Sequence, residues 1–213
     1  MKRSDVIKGV MASDAKKIKY TYEHLDFDAF DEAVKMIGKG RNIYVVGLRG
    51  CAPLASYLAF HLNLAVPGVK LLVTNSASEL FEQMLYINEK DVLIAVSFPR
   101  YSMRTLKATE FANQRKAKVI TITDEEHSPI NLYSSCKLIA KSDMTDIADS
   151  LVAPMSLVNA LVVALCRHKK KRVLGTLESL EEIWEDYQIY GPDELNPLEE
   201  EPKIKIVEGP KER

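Results

Sequence analysis

The sequence has little of what marks secreted, metal-binding or strongly charged proteins. Its three cysteines, Cys51, Cys136 and Cys166, are an odd number at wide spacing, which fits neither a disulfide framework nor a CxxC metal site. A formal net charge of -1 gives no bulk attraction to nucleic acid. The first residues contain no apolar stretch of the signal-peptide type. We therefore expect a cytoplasmic protein with reduced thiols and no metal or cofactor, which does not bind nucleic acid through this chain alone.

The most apolar stretch, residues 147–166, is too interrupted to span a membrane. Its interruptions are Asp149, Ser150, Pro154, Ser156 and Asn159. A charge at the centre of a bilayer costs ~2.5 to 3.5 kcal/mol even on the most lenient scale. An all-round apolar helix in a soluble protein is instead buried against the sheet and against another subunit. This stretch predicts no membrane association and a homodimer or a dimer of dimers.

Apolar runs alternate with amphipathic segments in the rhythm of a parallel sheet wrapped by helices. The predicted strands are residues 42–48, 69–74, 91–97, 118–123 and 136–140. The predicted helices between them are residues 53–64, 78–86, 103–114 and 129–133. Two helices precede the first strand, the second capped by Asp26 or Asp28 and ending at Gly38, and two follow the last strand, at 147–166 and 175–187. The fold class is α/β: a flavodoxin-like five-stranded parallel sheet in three α/β/α layers, with extra N- and C-terminal helices.

The length of 213 residues suits one large domain better than two. We expect it at residues 1–190, with N-terminal helices at 1–40, the sheet core at 41–141 and C-terminal helices at 147–188. From Gly191 onward, prolines interrupt any helical pattern, so residues 191–213 are predicted to be a disordered tail.

The loop after the third predicted strand has the composition of an anion site. Val92 to Val96 is the continuous apolar run of a strand covered on both faces, and Ser97 falls at its carboxyl end, where open α/β sheets bind ligands. Arg100 and Ser102 then precede a predicted helix, whose free N–H groups favour an anion. This loop predicts a phosphate or carboxylate ligand.

The loop after the first strand is also glycine-rich, at Gly47 and Gly50, but it is only half of a dinucleotide fingerprint. Arg49 stands where a Rossmann loop needs glycine, and its bulk would obstruct a pyrophosphate. Its guanidinium can instead bind a monoester phosphate or carboxylate in two places. Alternatively, the glycines only turn the chain and Arg49 points to water. Cys51 follows at a helix start, where its thiol pKa could be lowered.

These two loops resemble the sugar isomerase (SIS) domain over most of the chain, from about Asp28 to Ala164. In that family the first loop usually reads G-x-G-x-S, and the third strand leads into S-x-S-G-x-T. This chain retains Gly47 and Ser97, has Ser102 at the threonine position, and has the family-like Ser-Ala-Ser-Glu-Leu at residues 76–80. It departs from the pattern at Arg49, at Cys51 and at Phe98-Pro99-Arg100.

These departures resemble a smaller group of proteins within that family. The strings Gly-Leu-Arg-Gly, Ser-Phe-Pro-Arg-Tyr-Ser, Ser-Asp-Met, Asp-Ser-Leu-Val-Ala-Pro and Glu-Ile-Trp-Glu-Asp-Tyr resemble the ligand-sensing domain of RpiR/MurR-type transcriptional regulators. In such regulators a helix-turn-helix domain precedes the SIS domain, and a phosphosugar modulates operator binding. Only residues 1–41 precede the first predicted strand, so the chain resembles the sensor without its DNA-binding domain.

The resemblance implies a sugar phosphate ligand and assigns its contacts. The residues expected around the phosphate are Arg49, Gly50, Cys51, Ser97, Arg100 and Ser102, and those expected around the sugar are Ser76, Glu79 and Tyr101. Three functions stay open: a non-catalytic phosphosugar sensor, a phosphosugar aldose/ketose isomerase with Glu79 as base, and a domain that only dimerises. The histidines form no dyad with any carboxylate and no metal site, so no catalytic residue is assigned beyond the candidate Glu79.

Overall fold

The computed structural model describes residues 3–74, 76–145 and 148–189. The chain divides into two units, Met1–Thr176 and Leu177–Arg213, and the sheet with its flanking helices belongs to the first. The described part of the second unit is the end of one helix and the residues up to Ile189. The predicted tail, residues 191–213, lies outside the described residues, and the predicted domain boundaries stay predictions.

The central sheet has five parallel strands. They are β1 Ile43–Gly47, β2 Val69–Leu71, β3 Val92–Val96, β4 Lys118–Thr123 and β5 Cys136–Ile139. Their order in the sheet is β2-β1-β3-β4-β5, with Gly47 of β1 in register with Val96 of β3. This is the doubly wound order of flavodoxin-like folds. The predicted fold class is confirmed.

Helices cover both faces of this sheet. The helices of the first unit are α1 Arg3–Glu23, α2 Phe27–Lys39, α3 Ala52–Ala65, α4 Ala77–Gln83, α5 Met103–Gln114 and α6 Val152–His168. A further helix, α7 Lys170–Asp186, runs from the first unit into the second. On one side α3 packs on β1 and β2 and α2 on β5, with α6 against both helices and α1 against α6. On the other side α5 packs on β3 and β4, beside α4 and a 3-10 helix at Pro129–Tyr133.

The two central strands are apolar throughout because both of their faces are covered. All five residues of β1 and all five of β3 are buried. On the α4–α5 side, Tyr44, Val46, Leu93 and Ala95 pack into one cluster with Leu80, Met84 and Ala108 of the helices. A strand that is buried on both faces needs apolar residues at every position, which is why its sequence is a continuous apolar run. This packing fixes the carboxyl ends of β1 and β3 side by side.

Some element boundaries differ from the prediction. Helix α2 begins after Asp26, whose side chain accepts the Ala29 N–H, but it continues through Gly38 to Lys39. Gly40 ends it instead: its backbone is extended, and its N–H donates to the carbonyl groups of Met36 and Ile37. A side chain at Gly40 would lie 2.6 Å from Ile43 Cδ1, which explains the glycine. The strand predicted at 69–74 ends at Leu71, and the helix predicted at 175–187 begins at Lys170.

The largest boundary difference is in the segment before α6. The helix predicted from residue 147 begins at Val152, and Ile147 itself lies outside the described residues. Two short antiparallel strands, β6 Met144–Thr145 and β7 Ala148–Asp149, precede it instead. The Ser150 side chain accepts the N–H of Val152 at 3.5 Å, a local bond of the kind that competes with helix continuation.

Candidate functional site

A cavity of about 280 Å³ lies at the carboxyl ends of β1 and β3. The chain leaves β1 toward β2 on one side and leaves β3 toward β4 on the other, so a crevice opens between the two departing loops. The cavity is lined by Leu48, Arg49, Gly50, Cys51, Ser97, Phe98, Pro99, Arg100, Ser102, Asp149 and Leu151. Both loops that the sequence predicts as anion sites therefore border one cavity.

In the first loop, the backbone at Gly47 lies close to the start of α3, and the chain turns sharply at Arg49. A side chain at Gly47 would lie 2.7 Å from the carbonyl oxygen of Cys51 and 2.9 Å from Cβ of Ala55, so only glycine lets β1 end this close to α3. Arg49 has a φ of 55°, the left-handed region that favours glycine. It opens a 3-10 helix, Arg49–Cys51, that continues into α3.

The second loop positions two serines before helix α5. Ser97 is buried, and its Oγ accepts the backbone N–H of Ser102 at 3.3 Å. Ser102 is the N-cap of α5, and its own Oγ accepts the N–H of Thr105 at 3.4 Å. In both serines the hydroxyl oxygen serves the protein as an acceptor, and within the described ranges the hydroxyl proton has no acceptor, so it can donate to a ligand. The start of α5 adds its helix dipole, which favours an anion.

Two arginine side chains line the cavity. Arg49 and Arg100 are exposed at its rim, and neither guanidinium group is in an ion pair or hydrogen bond within the described part of the chain. The carboxylate at the cavity belongs to Asp149, and within the same described ranges it too is in no ion pair. Unpaired guanidinium groups beside a helix N-terminus form an arrangement suited to a phosphate or carboxylate.

Cys51 has the opposite electrostatic environment to the one expected at a helix start. Burial raises the pKa of its thiol, a hydrogen bond to the backbone of Phe98 lowers it by less than burial raises it, and the negative charge of Asp149 adds a smaller increase. The prediction of a lowered thiol pKa is therefore wrong. Because burial outweighs the helix start, Cys51 is a neutral lining residue at neutral pH.

Three of the predicted ligand residues do not line this cavity. The Tyr101 hydroxyl donates to Asp124 Oδ1 at 2.9 Å, and burial together with this bond raises the pKa of Tyr101. Ser76 is the exposed N-cap of α4, and its Oγ is 2.8 Å from Ser78 Oγ. Glu79 is also exposed, and its carboxylate accepts a short hydrogen bond from the Thr74 hydroxyl. Their predicted role at the sugar stays a prediction.

Sequence reasoning missed Asp149, because the residue lay inside a predicted helix where it counted only as an interruption. In the structure it ends β7 and lines the cavity. Its segment is attached to α1: Ser150 Oγ donates to Asp14 at 2.5 Å, and the N–H of Lys141 donates to Thr21 Oγ1 at 2.9 Å. The polar string around Asp149 was the available signal, since a carboxylate and a serine would be costly inside a fully buried helix.

Within the described ranges, no three His, Cys, Asp or Glu side chains come together as a metal site. Among the same residues, no helix is long and apolar enough to cross a membrane.

The family model described as "SIS domain" matches residues 36–164, more than half of the chain. The chain belongs to the SIS domain family. The matched range contains both cavity loops and the two strands that precede them.

Two solved structures share the SIS fold of this chain. The sugar isomerase domain of an RpiR transcription factor from Sphaerobacter thermophilus is 24% identical with a TM-score of 0.78, covering 82% of this chain and 97% of that one. The Vibrio vulnificus NanR protein complexed with ManNAc-6P is 18% identical with a TM-score of 0.75, covering 87% and 70%. At these identities the likeness concerns the fold. The predicted resemblance to the SIS domain of RpiR-type regulators is confirmed at that level.

A sequence relative is an uncharacterised HTH-type transcriptional regulator of Haemophilus influenzae. It is 24% identical over 125 residues, which cover 59% of this chain and 43% of that protein. The SIS domain described here thus corresponds to less than half of that regulator's length.

Proposed function

We propose that this SIS domain is a non-catalytic, phosphosugar-binding sensor of the RpiR/MurR regulatory type. The observation that supports this most is the cavity at the β1–β3 crevice, where unpaired Arg49 and Arg100 meet Ser97, Ser102 and the start of α5. Positive charge, hydroxyl donors and a helix N-terminus are the three features that bind a phosphate monoester. The NanR structure with ManNAc-6P supports the same ligand class, since it has the same fold.

A thermal-shift panel tests this proposal. Sugar phosphates, the same sugars without phosphate, and inorganic phosphate would be compared on the intact chain. A ligand that binds only the folded state raises the melting temperature by mass action, so we expect a sugar phosphate to stabilise and its dephosphorylated sugar not to. Arg49→Gln and Arg100→Gln should each reduce the shift. Arg115→Gln is the matched control, because it removes the same charge at the opposite end of α5. No stabilisation by any sugar phosphate would overturn the proposal.

Isomerase activity with Glu79 as base stays the alternative prediction. A general base must come within hydrogen-bond reach of the proton that it abstracts. Glu79 is outside the set of cavity-lining residues and accepts a hydrogen bond from Thr74, which favours a sensor over an enzyme. NMR of each stabilising sugar phosphate after long incubation with the protein would detect the isomeric product. Conversion that is lost in Glu79→Gln would replace the sensor proposal with the isomerase.

We also propose that the domain is a homodimer through the outer faces of α3 and α6. These two helices pack side by side, joined by a hydrogen bond of 2.8 Å from the Tyr57 hydroxyl to Asn159. Neither α3 nor residues 152–166 of α6 contain a charged residue. Yet Phe60 on α3 is 71% exposed and Val163 on α6 is 48% exposed. An uncharged surface with exposed apolar side chains is typical of a subunit interface.

Sedimentation equilibrium of Phe60→Glu and Val163→Glu tests the dimer. Both variants should be monomeric at concentrations where the unsubstituted chain is dimeric. Leu132→Glu is the control, because Leu132 is 74% exposed but lies in the 3-10 helix after β4. A monomeric unsubstituted chain, or dimers unaffected by both changes, would contradict the proposal. A cytoplasmic location and the absence of direct DNA binding by this chain stay predictions.

A further inference from the structure

The cavity is lined by charged side chains of both signs. Arg49 and Arg100 come from the loops after β1 and β3, whereas Asp149 comes from β7, a separate element. Within the described ranges, no ion pair or hydrogen bond involves any of these three side chains. Charged groups around a cavity that leave each other unpaired are available to a ligand, and they specify its charges.

The Asp149 carboxylate is not suited to bind the phosphate. A carboxylate beside a phosphate repels it, so a cavity built only for a phosphate monoester would place neutral donors or further cations at this position. The carboxylate lies close enough to Cys51 for its charge to raise the pKa of that thiol, which places its field inside the cavity lining. Leu151, two residues later, lines the same cavity, so this segment borders the site at more than one point.

A ligand with an anionic group and a separate cationic group would satisfy all three side chains. Resting on the proposed function, we propose that the ligand is a sugar phosphate with a free amine, and that Asp149 selects it by binding the ammonium group. A ring hydroxyl in the same place would donate one neutral hydrogen bond and leave the carboxylate charge uncompensated. An N-acetylated nitrogen is also neutral and adds bulk. Asp149 is thus a specificity residue, while the arginines and serines bind the phosphate.

The test compares ligands that differ only at one ring substituent. Isothermal titration would measure 2-amino, 2-hydroxyl and 2-acetamido hexose 6-phosphates, in both the gluco and manno series, on the intact chain. We expect one 2-amino compound to bind about tenfold or more tighter than its 2-hydroxyl counterpart, the preference expected of a charge-assisted hydrogen bond. In Asp149→Asn, which keeps the shape of the side chain, that preference should fall below about twofold. The 2-amino compound loses its charged partner and should bind more weakly, while the 2-hydroxyl compound no longer faces an uncompensated carboxylate and should bind at least as tightly as before.

Asp143→Asn is the matched control, since Asp143 lies in the same segment but its carboxylate pairs with Lys141 at 3.0 Å. Its ligand preference should equal that of the unsubstituted chain. Asp149→Glu keeps the charge and should retain part of the amine preference, which separates charge from folding defects. Sugar phosphates that bind without preference for the amine, or a preference that persists in Asp149→Asn, would overturn this inference and leave the proposed function standing. Binding of no sugar phosphate in either series would overturn both.

Discussion

The backbone N–H of Ser102 donates a hydrogen bond to Oγ of Ser97 at 3.3 Å, across the turn that joins β3 to α5. This bond commits a lone pair of the buried Ser97 hydroxyl to the protein and leaves its proton without an acceptor among the described residues. A hydroxyl held in this way is a fixed donor at the carboxyl end of the central strand. It faces the same cavity as Arg100 and the start of α5.

Replacing Ser97 with Ala should weaken sugar phosphate binding by about 1 to 3 kcal/mol, the usual effect of removing a partner hydrogen-bonded to a charged group. Isothermal titration would measure it. Ser56→Ala is the control, because Ser56 is an exposed serine of α3 outside the cavity. An affinity unchanged by Ser97→Ala would move the phosphate site elsewhere.

Arg49 should show opposite effects on stability and on binding. Its φ of 55° costs a residue with a side chain ~1 to 2 kcal/mol, a cost that glycine does not have. Arg49→Gly and Arg49→Ala both remove the guanidinium and should lose the same sugar phosphate affinity. Chemical denaturation should nevertheless find the glycine variant more stable than the alanine variant, by about 1 kcal/mol. Equal stability of the two variants, or undiminished binding in either, would contradict this assignment.

Arg49 also illustrates which structural features a sequence pattern can predict. The family pattern G-x-G has a glycine at this position, and the left-handed backbone of Arg49 is the physical reason for that glycine. The strands were predicted to within a few residues, because burial on both faces leaves a continuous apolar run in β1 and β3. Met103–Gln114 was predicted without error, since Ser102 is an N-cap before a periodic segment.

What the sequence did not predict depends on tertiary contacts. Residues 148–149 form a strand paired with residues 144–145 rather than a helix, and this pairing brings Asp149 to a cavity formed by loops far away in the chain. Likewise, the thiol pKa of Cys51 is set mainly by burial among other elements, which outweighs the helix start beside it. Local secondary-structure propensity predicts neither the pairing of distant segments nor the burial of a side chain by other elements.

Asp91 anchors the amino ends of β1 and β3, at the opposite edge of the sheet from the cavity. Its fully buried carboxylate accepts hydrogen bonds from Arg41 Nη2 at 2.8 Å, Asn42 Nδ2 at 2.9 Å and the Asn88 N–H at 3.0 Å. Burial alone would raise the pKa of Asp91, but these bonds outweigh it and lower the pKa below its ordinary 3.8. Asp91→Asn should destabilise the protein by about 1 to 3 kcal/mol.

The stabilisation by Asp91 should disappear in acid. A carboxylate whose folded pKa is depressed contributes fully above its unfolded value of 3.8 and loses that contribution as the pH falls through the folded pKa. Urea unfolding of the unsubstituted chain and of Asp91→Asn should therefore differ constantly above about pH 5 and converge below 3.8. Asp31→Asn, which changes an exposed residue of α2, is the control for the substitution itself. A difference that persists undiminished in acid would rule out this linkage.

Alkylation of the cysteines offers a readout of cavity occupancy. Because burial raises the pKa of Cys51 above 9.0, its reaction with iodoacetamide should be slow at neutral pH and accelerate as the pH rises past that value. A bound sugar phosphate should slow it further, since Cys51 lines the cavity. Cys166 is the internal control: it is also partly exposed with a raised thiol pKa, but it lies outside the cavity. Peptide mass spectrometry would follow both. Ligand protection of both thiols alike would point to a global effect rather than to the cavity.

Phosphate recognition by the cavity is tested most directly by titrating the protein with one pair of ligands that differ only in the phosphate. The best-stabilising sugar phosphate and its dephosphorylated sugar would be titrated into the unsubstituted chain and into a variant with both Arg49→Gln and Arg100→Gln. If the two arginines bind the phosphate, only the sugar phosphate should bind saturably, inorganic phosphate should compete with it, and the double variant should lose that binding. Equal binding of the two sugars, or binding that survives both arginine substitutions, would contradict phosphate recognition by the cavity.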